Sequence, residues 1–293
     1  MNDGRHRLDF TAEEMGAFEP DAKVGLLGTI DDHERPHITL ITTLMTRGPR
    51  ELMWGQFCEG RSKAHVTARA RTGYLVLTND RAVYRGEALW RRAVTEGTDY
   101  VAYNRRPIYR YNSYFGIHTV HYMDLVGKLT PSTVRVPALV AGGLAARVGA
   151  AIPGARRRPA PLNDWVRSHL ARLDTLKFIA HIGETGFPTL VAGVPAAALG
   201  NSAVVFAPLG GDGELFRFSE GQSLALFALN LKMQSVLIQG TFGHYRRAGL
   251  GVIEVDRVYN PMPPLPGYIY PRNPICQGNP ITPRSLPTGE KHA

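Results

Sequence analysis

The chain of 293 residues has little of what builds a disulfide-rich or membrane-spanning protein. Its two cysteines, Cys58 and Cys276, are too few for a disulfide framework or a cysteine-rich zinc site, so a reducing, cytoplasmic setting is expected. No apolar run reaches the ~18 residues that a membrane span needs, and no apolar segment follows the first charges. We therefore expect neither a transmembrane helix nor a secretory signal. A hydrophobic content of 44% and a charged content of 20% are typical of a globular protein.

Lysine is scarce as well. Only six of the 34 basic residues are lysines, so arginine supplies 34 − 6 = 28, and the formal net charge is +9. Such a charge attracts anions: nucleic acid, anionic lipid or phosphorylated small molecules. The arginine clusters, among them 91–92, 105–106 and 156–158, are scattered along the chain. This scatter favours a solvated surface over a nucleic-acid site.

The sequence also lacks the short motifs of several large enzyme classes. It contains no GxxxxGKS/T, no strand-linked GxGxxG, no HExxH, no GxSxG and no CxxC pair. His118 and His121 are spaced like metal ligands, but no acidic or cysteine partner lies near them in the sequence. We expect packing or surface roles for both histidines and no metal site.

Two segments of the chain resemble each other. Residues 23–57 and 176–209 align at a constant offset of 152, which places Pro36 on Pro188 and residues 52–54 on residues 204–206. Further on, Gly86 falls on Gly240 at an offset of 154. A near-constant offset over this length indicates a tandem duplication of a domain of about 100 residues.

Each copy has the pattern of short strands joined by tight turns, which predicts a small antiparallel barrel. The predicted strands include 37–42, 51–56, 74–79, 203–208 and 224–230, and the predicted helices are 97–116 (broken at Pro107), 136–152 and 163–173. The predicted fold is mainly β with flanking helices (α+β), with two tandem split β-barrels forming a pseudo-dimer within one chain. The expected domains are a first barrel (1–135), a helical linker (136–173), a second, degenerate barrel (174–259) and a proline-rich tail (260–293). Nine of the 34 residues in that tail are proline, so we expect it to lack regular secondary structure.

One segment of the first copy is suited to binding an anion. A strand ends in Trp-Gly-Gln at 54–56, a turn follows, and Arg61, Ser62 and Lys63 stand where a helix should begin. A helix N-terminus has unpaired N–H groups and a partial positive charge, and these side chains add a hydroxyl donor and two full charges. A basic first turn opposes the helix dipole and is stabilised by an anion. An ordinary helix that has a basic first turn but binds no anion would show the same sequence pattern.

The second copy differs at the equivalent place. Residues 210–214 read Gly-Gly-Asp-Gly-Glu, so acidic residues and glycines replace Arg-Ser-Lys. Because these carboxylates repel a phosphate, we expect only the first copy to bind one.

Together these segments resemble the FMN-binding split barrels related to pyridoxamine-phosphate oxidase, well over 23–129 and weakly over 176–259. The resemblance implies that the second strand lies along the flavin and that the turn and helix after the next strand hold its phosphate. The residues that it places at the cofactor are Thr39, Ile41, Thr42, Gly55, Gln56, Arg61, Ser62 and Lys63. The tail has no counterpart of the oxidase's C-terminal Arg/His pattern, so pyridoxamine phosphate is not the expected substrate.

Tyrosine and arginine alternate in a segment that only the first copy has, residues 103–115. Such side chains can stack on a ring or hold a carboxylate, and they can also simply pack a helix against the barrel. The candidate substrate residues in this segment are Arg106, Tyr111, Asn112 and Tyr114.

The resemblance implies an FMN-dependent oxidoreductase that passes a hydride or electrons to an unidentified small molecule. The sequence leaves two alternatives open: a deazaflavin coenzyme in the same groove, or a flavin- or haem-binding carrier or sensor without turnover. A reduced nicotinamide or another donor would supply electrons, and we expect neither a nucleic-acid nor a membrane partner. The protein would be a monomeric pseudo-dimer or a homodimer. No catalytic acid or base can be assigned from the sequence.

Overall fold

The chain folds into two eight-stranded antiparallel sheets, each curled around its own core. The computed structural model describes residues 9–58, 60–107, 116–151, 160–208, 217–245, 249–262 and 266–271. The first sheet has the strand order β2-β1-β5-β6-β7-β4-β3, with β8 paired to β6. Its strands are β1 (Val24–Ile30), β2 (Pro36–Leu40), β3 (Met45–Gly48), β4 (Glu51–Gln56), β5 (Arg71–Leu77), β6 (Ala82–Val94), β7 (Thr119–Lys128) and β8 (Ser132–Thr133).

The second sheet repeats this order as β10-β9-β13-β14-β15-β12-β11, with β16 paired to β15. Its strands are β9 (Thr175–Ile182), β10 (Pro188–Ala192), β11 (Ala196–Leu199), β12 (Ala203–Phe206), β13 (Ser223–Asn230), β14 (Ser235–Tyr245), β15 (Gly251–Asn260) and β16 (Gly267–Tyr270). The predicted fold class, mainly β with two tandem barrel-like halves, is therefore confirmed.

Five helices flank the sheets in the described part of the chain: α1 (Ala12–Phe18), α2 (Arg61–Ala68), α3 (Thr98–Arg105), α4 (Val136–Ala151) and α5 (Asp164–Ala171). Their ends follow local capping chemistry. Thr11 and Glu14 form a reciprocal capping box at the start of α1, and the Asn163 side chain caps α5 by accepting from the Val166 N–H. No helix among the described residues is both long and apolar enough to cross a membrane.

The sequence prediction missed several strands. The four-residue strands β3 and β11 are too short to show periodicity, and β11 consists of three alanines and a leucine, which have little strand propensity. Part of the tail was predicted wrongly: β16 pairs with the end of β15 despite the surrounding prolines. Its four residues lie between Pro266 and Pro271, so every residue of the strand keeps its N–H.

Two glycines of the first barrel let the second barrel approach closely. A Cβ atom at Gly73 would lie 2.0 Å from the carbonyl oxygen of Pro188, and one at Gly28 would lie 2.7 Å from the Leu190 side chain. Real Cβ atoms are not found so near to backbone atoms, so Gly73 sets the distance between β5 and β10. Around this contact the two halves share one buried apolar cluster, which includes Leu26, Ile38, Leu75, Phe178, Leu190 and Phe227.

Polar contacts also join the halves. The buried Gln239 side chain donates to the Pro36 carbonyl at 2.9 Å, and Arg35 donates from one guanidinium nitrogen to both oxygens of Asp256 at 3.0 Å. Shared burial and these directional bonds fix one relative position of the two barrels.

Candidate functional site

A cavity of about 320 Å³ lies at the seam between the two barrels. From the first barrel it is lined by β2 and the turn after it, by the end of β4 and by the first turn of α2. All eight residues that the sequence predicts at the cofactor line it: Thr39, Ile41, Thr42, Gly55, Gln56, Arg61, Ser62 and Lys63. The fold therefore gathers into one cavity residues that are up to 24 positions apart in the chain (63 − 39 = 24).

Thr43 holds the floor of the cavity in place. Its hydroxyl donates to the Gly55 carbonyl at 2.7 Å and accepts from the Gly55 N–H at 3.1 Å, so the turn after β2 is bound to β4. The Tyr103 hydroxyl of α3 donates to the Thr43 carbonyl at 2.9 Å, and the Tyr103 side chain itself belongs to the buried core of the first barrel. These buried hydrogen bonds fix the backbone of the turn after β2, which forms part of the cavity wall.

The start of α2 forms the polar end of the cavity. The helix begins after Gly60, which has no side chain to cap it, and its first turn contains no acidic residue. Ser62 is buried and shares a short hydrogen bond with the Thr39 hydroxyl, which ties the helix to β2. Among the described residues lining the cavity none carries a carboxylate. An anion at this end would therefore meet hydroxyls, N–H groups and two cationic side chains, and no carboxylate among the described lining residues.

Gln56 is held by a network behind the cavity wall. Its Nε2 donates to the Cys58 carbonyl at 3.2 Å, and its Oε1 lies 2.9 Å from His121 Nε2. The Trp90 indole can only donate, so His121 Nδ1 accepts from it at 3.1 Å and the imidazole proton lies on Nε2. The His121 ring is stacked on Trp54 with the ring centres 3.7 Å apart. His121 therefore has a packing role. Its spacing from His118 in the sequence was not enough to establish that role.

We predict that acid destabilises the protein through His121. Burial, with a smaller effect of Lys63, lowers the pKa of His121 to about 4 from the ordinary 6.5. Between pH 6.5 and 4 the unfolded chain therefore binds a proton that the folded chain does not, and the free energy of unfolding falls as the pH falls through this window. The loss from this residue reaches about 3 kcal/mol at 1.36 kcal/mol per pKa unit.

Urea unfolding at pH 7 and pH 4.5 measures this dependence. The variant His121→Gln keeps a polar side chain and has no group that titrates, so its stability should change less between the two pH values. An equal change in both proteins would contradict the assignment. His169→Gln, on α5, tests the same cause at a second buried histidine: burial lowers the pKa of His169 as well, so this variant should also lose part of the pH dependence.

A second pair of histidines lies beside the cavity. His37 lines it, and its ring centre is 4.9 Å from that of His65, whose Nδ1 is 3.0 Å from the Thr29 hydroxyl. Burial lowers the pKa of His37 well below 6.5, with the neighbouring His65 and Arg61 acting in the same direction. His37 is therefore neutral at physiological pH and can donate or accept one hydrogen bond at the cavity.

The second barrel supplies the opposite wall, through residues that local sequence patterns did not single out: Met233, Ser235, Tyr259, Pro261 and Met262. The guanidinium carbon of Arg61 lies 4.9 Å from the ring centre of Tyr268 and 6.0 Å from that of Tyr259. Tyr268 belongs to β16, in the segment predicted to be an irregular tail. The predicted pseudo-dimer was the only signal for this wall, because it places a second barrel across the cleft.

Of the four candidate substrate residues only Arg106 lies in the described part of the chain, and it does not line the cavity. Arg106 follows α3 and forms ion pairs with Asp21 at 2.9 Å and Glu19 at 3.2 Å, two residues that come just after α1. Both carboxylates compete with any ligand for the positive charge of Arg106. The other three, Tyr111, Asn112 and Tyr114, lie outside the described residues.

The equivalent place in the second barrel is covered by α4. The offset of 152 pairs Ile41 with Gly193 (193 − 41 = 152), where a Cβ atom would lie 3.2 Å from the Leu139 side chain of α4. It also pairs Gly55 with Ala207 (207 − 55 = 152), which is buried in one cluster with Ala146 of α4. The linker helix therefore packs where a ligand of the second barrel would lie. The acidic segment 210–214 lies outside the described residues.

Comparison with known proteins returns structural neighbours only, since no family model and no curated protein matches the sequence. An FMN-binding protein from Syntrophomonas wolfei matches with 18% identity and a TM-score of 0.35, over 41% of this chain and 85% of that chain. An F420 reductase matches with 15% identity and a TM-score of 0.31, over 40% of this chain and 94% of that chain. A FAD-binding protein from Mesorhizobium loti matches with 13% identity and a TM-score of 0.26, over 44% and 99%. At these identities and TM-scores the neighbours assign neither a family nor a cofactor to this chain.

Proposed function

We propose that the cavity between the barrels binds FMN and that the protein is a flavin-dependent oxidoreductase. The observation that carries this proposal is the division of the cavity into a cationic, hydroxyl-bearing end and an apolar body. A phosphorylated ring cofactor has the same division. The volume of about 320 Å³ lies within the range of small-molecule sites.

The polar end suits a phosphate monoester. Arg61, Ser62 and Lys63 are successive residues of the first helical turn, where unpaired N–H groups also point outward. Arginine offers several donors in a plane, and lysine adds a compact charge. In the proposed complex these groups, with the Thr39 hydroxyl, hold the phosphate.

The body of the cavity suits a planar ring. Apolar side chains line it from both barrels: Leu40, Ile41, Trp54, Phe57, Met233 and Met262. Thioethers and aromatic rings pack well against flat π systems. The buried Trp54 Nε1 has no hydrogen-bond partner among the described residues, and a polar ring edge near it would satisfy that donor.

Bound FMN would supply the hydride or electron transfer itself. The chain's part is to orient the ring between the barrels, to exclude water with the two methionines, and to offer the neutral His37 as a hydrogen-bonding group. A reduced nicotinamide as electron donor and a small molecule as acceptor complete the proposal.

The test is spectroscopic. We expect the purified chain to bind FMN in a titration that saturates near one FMN per chain, and NADH or NADPH to bleach the bound flavin. A chain that takes up no FMN would refute the proposed site. Uptake of a deazaflavin coenzyme with exclusion of FMN would assign the other cofactor. Bound FMN that no donor reduces would indicate a carrier or sensor.

We predict that Tyr268 of β16 contributes to FMN affinity by holding Arg61. A cation–π contact at a partly exposed site is worth about 0.5–1 kcal/mol, so Tyr268→Ala should weaken FMN binding about two- to fivefold. Tyr268→Phe keeps the ring and should bind nearly as the natural chain does. Fluorescence titration measures both. If the alanine and phenylalanine variants bind equally well, the ring does not position Arg61.

A further inference from the structure

The outer face of α4 is apolar and uncovered. Val136, Val140, Leu144 and Val148 are 42%, 68%, 66% and 60% exposed, and they follow one another at intervals of four residues. They therefore form one stripe along the helix, about 18 Å long at 1.5 Å per residue. The opposite face is built of small residues, with Ala146 buried against β11 and β12.

The neighbouring helix α5 extends this apolar face. Both helices pack on β11, and Arg147 of α4 donates to the Ala171 carbonyl at the end of α5 at 2.6 Å. Trp165 on α5 is 42% exposed, and Leu173 just after it is 89% exposed. Exposed apolar side chains on two helices that are joined in this way make the pair a candidate interaction surface.

The same part of the chain carries most of the net positive charge. Residues 135–174 contain seven arginines and two aspartates, a net charge of 7 − 2 = +5 out of the +9 of the whole chain, and the two aspartates pair with Arg167 and Arg172. Arg135 and Arg147 flank the apolar stripe, and α4 itself contains no carboxylate. The described part of this face thus combines exposed valine, leucine and tryptophan side chains with Arg135 and Arg147, and residues 156–158 lie outside the described residues.

We propose that this face, formed by α4 and α5, docks on the surface of an anionic phospholipid bilayer. A helix that lies in the interface of a bilayer buries an apolar stripe among the acyl chains, while arginines beside it meet the lipid phosphates. Trp165 is of the type favoured at the level of the headgroups. At 16 residues α4 is too short to span, so it would lie on the membrane. This departs from the expectation, drawn from the sequence, of no membrane partner.

Two other occupants fit the face less well. In an antiparallel pair of α4 helices from two chains, Arg135 of one chain would approach Arg147 of the other, with no carboxylate on either helix to compensate. A nucleic acid would meet the arginines but would leave the row of valine and leucine side chains in water. Only a surface that is both anionic and apolar satisfies both sets of side chains.

Vesicle co-sedimentation tests the proposal on the full chain. We expect binding to phosphatidylcholine vesicles that contain 30% phosphatidylserine (roughly the anionic fraction that attracts basic surfaces) and much weaker binding to pure phosphatidylcholine. The double variant Val140→Ser/Leu144→Ser changes two exposed side chains and should fold normally. It should bind the anionic vesicles at least tenfold more weakly, because it replaces the two apolar side chains at the centre of the stripe that enters the bilayer.

Val101→Ser is the matched control, since Val101 is 42% exposed but lies on α3, which packs on β7 of the first barrel. It should bind the vesicles as the natural chain does. The proposal is overturned if anionic vesicles bind no protein, or if the double variant binds as well as the control. It is also overturned if light scattering shows a dimer that the double variant abolishes while vesicle binding is absent. Circular dichroism confirms that each variant is folded.

Discussion

Replacing Lys63 with glutamate is expected to reduce FMN affinity about tenfold to a hundredfold. The change puts a carboxylate in the first turn of α2, at the end of the cavity where the phosphate is proposed to lie. Loss of a charge-assisted hydrogen bond costs about 1.5–3 kcal/mol, and each 1.4 kcal/mol is a factor of ten in affinity. The added repulsion acts in the same direction. Folding should survive, because the first turn of a helix favours an acidic residue.

A carboxylate elsewhere on α2 provides the control. Ala68→Glu places it in the last turn of the same helix, at an exposed position that does not line the cavity. Its FMN affinity should stay within about twofold of the natural value, since exposed charges at that distance are screened. Titration of both variants at one ionic strength gives the comparison. Equal affinities would place the phosphate in another part of the barrel.

Replacing Gly73 with alanine is expected to lower the free energy of unfolding by about 3 kcal/mol and to weaken FMN binding. The new Cβ would lie 2.0 Å from the Pro188 carbonyl oxygen, a backbone atom that cannot rotate away, so β5 and β10 must separate. Overpacking of a tight core typically costs about 1–3 kcal/mol, and a backbone clash belongs at the upper end. Because Met233 and Tyr259 line the cavity from the second barrel, a shift of that barrel also opens the cavity.

Gly127→Ala on β7 is the matched control, because a Cβ atom there would meet nothing within 4 Å. It should leave both stability and FMN affinity nearly unchanged. Urea unfolding and FMN titration are measured on both variants. If Gly73→Ala loses stability but keeps full affinity, the second barrel does not complete the cofactor site. If it loses neither, the close approach of the two barrels is not required.

The alternation of apolar and polar residues and the turn signals were enough to predict a β architecture, because a strand's side chains alternate between faces whatever its partner is. The constant offset of 152 was enough to predict two similar halves. The run Trp-Gly-Gln followed by Arg-Ser-Lys was enough to predict that a helix begins at Arg61, as α2 does, and anion binding at that helix start stays a prediction. The helix predicted over 136–152 also followed from local composition, and α4 spans Val136–Ala151.

The tertiary structure decided the remaining features, because they depend on contacts between residues far apart in the chain. Nothing near Tyr268 or Met262 in the sequence marks them as neighbours of Arg61 and Lys63; the seam between the barrels brings them there. The need for glycine at position 73 is set by Pro188 across that seam. Likewise, the apolar composition of α4 does not reveal which face stays exposed. That face is decided by β11 and β12, which cover the side with the small residues and leave Val140 and Leu144 at the surface.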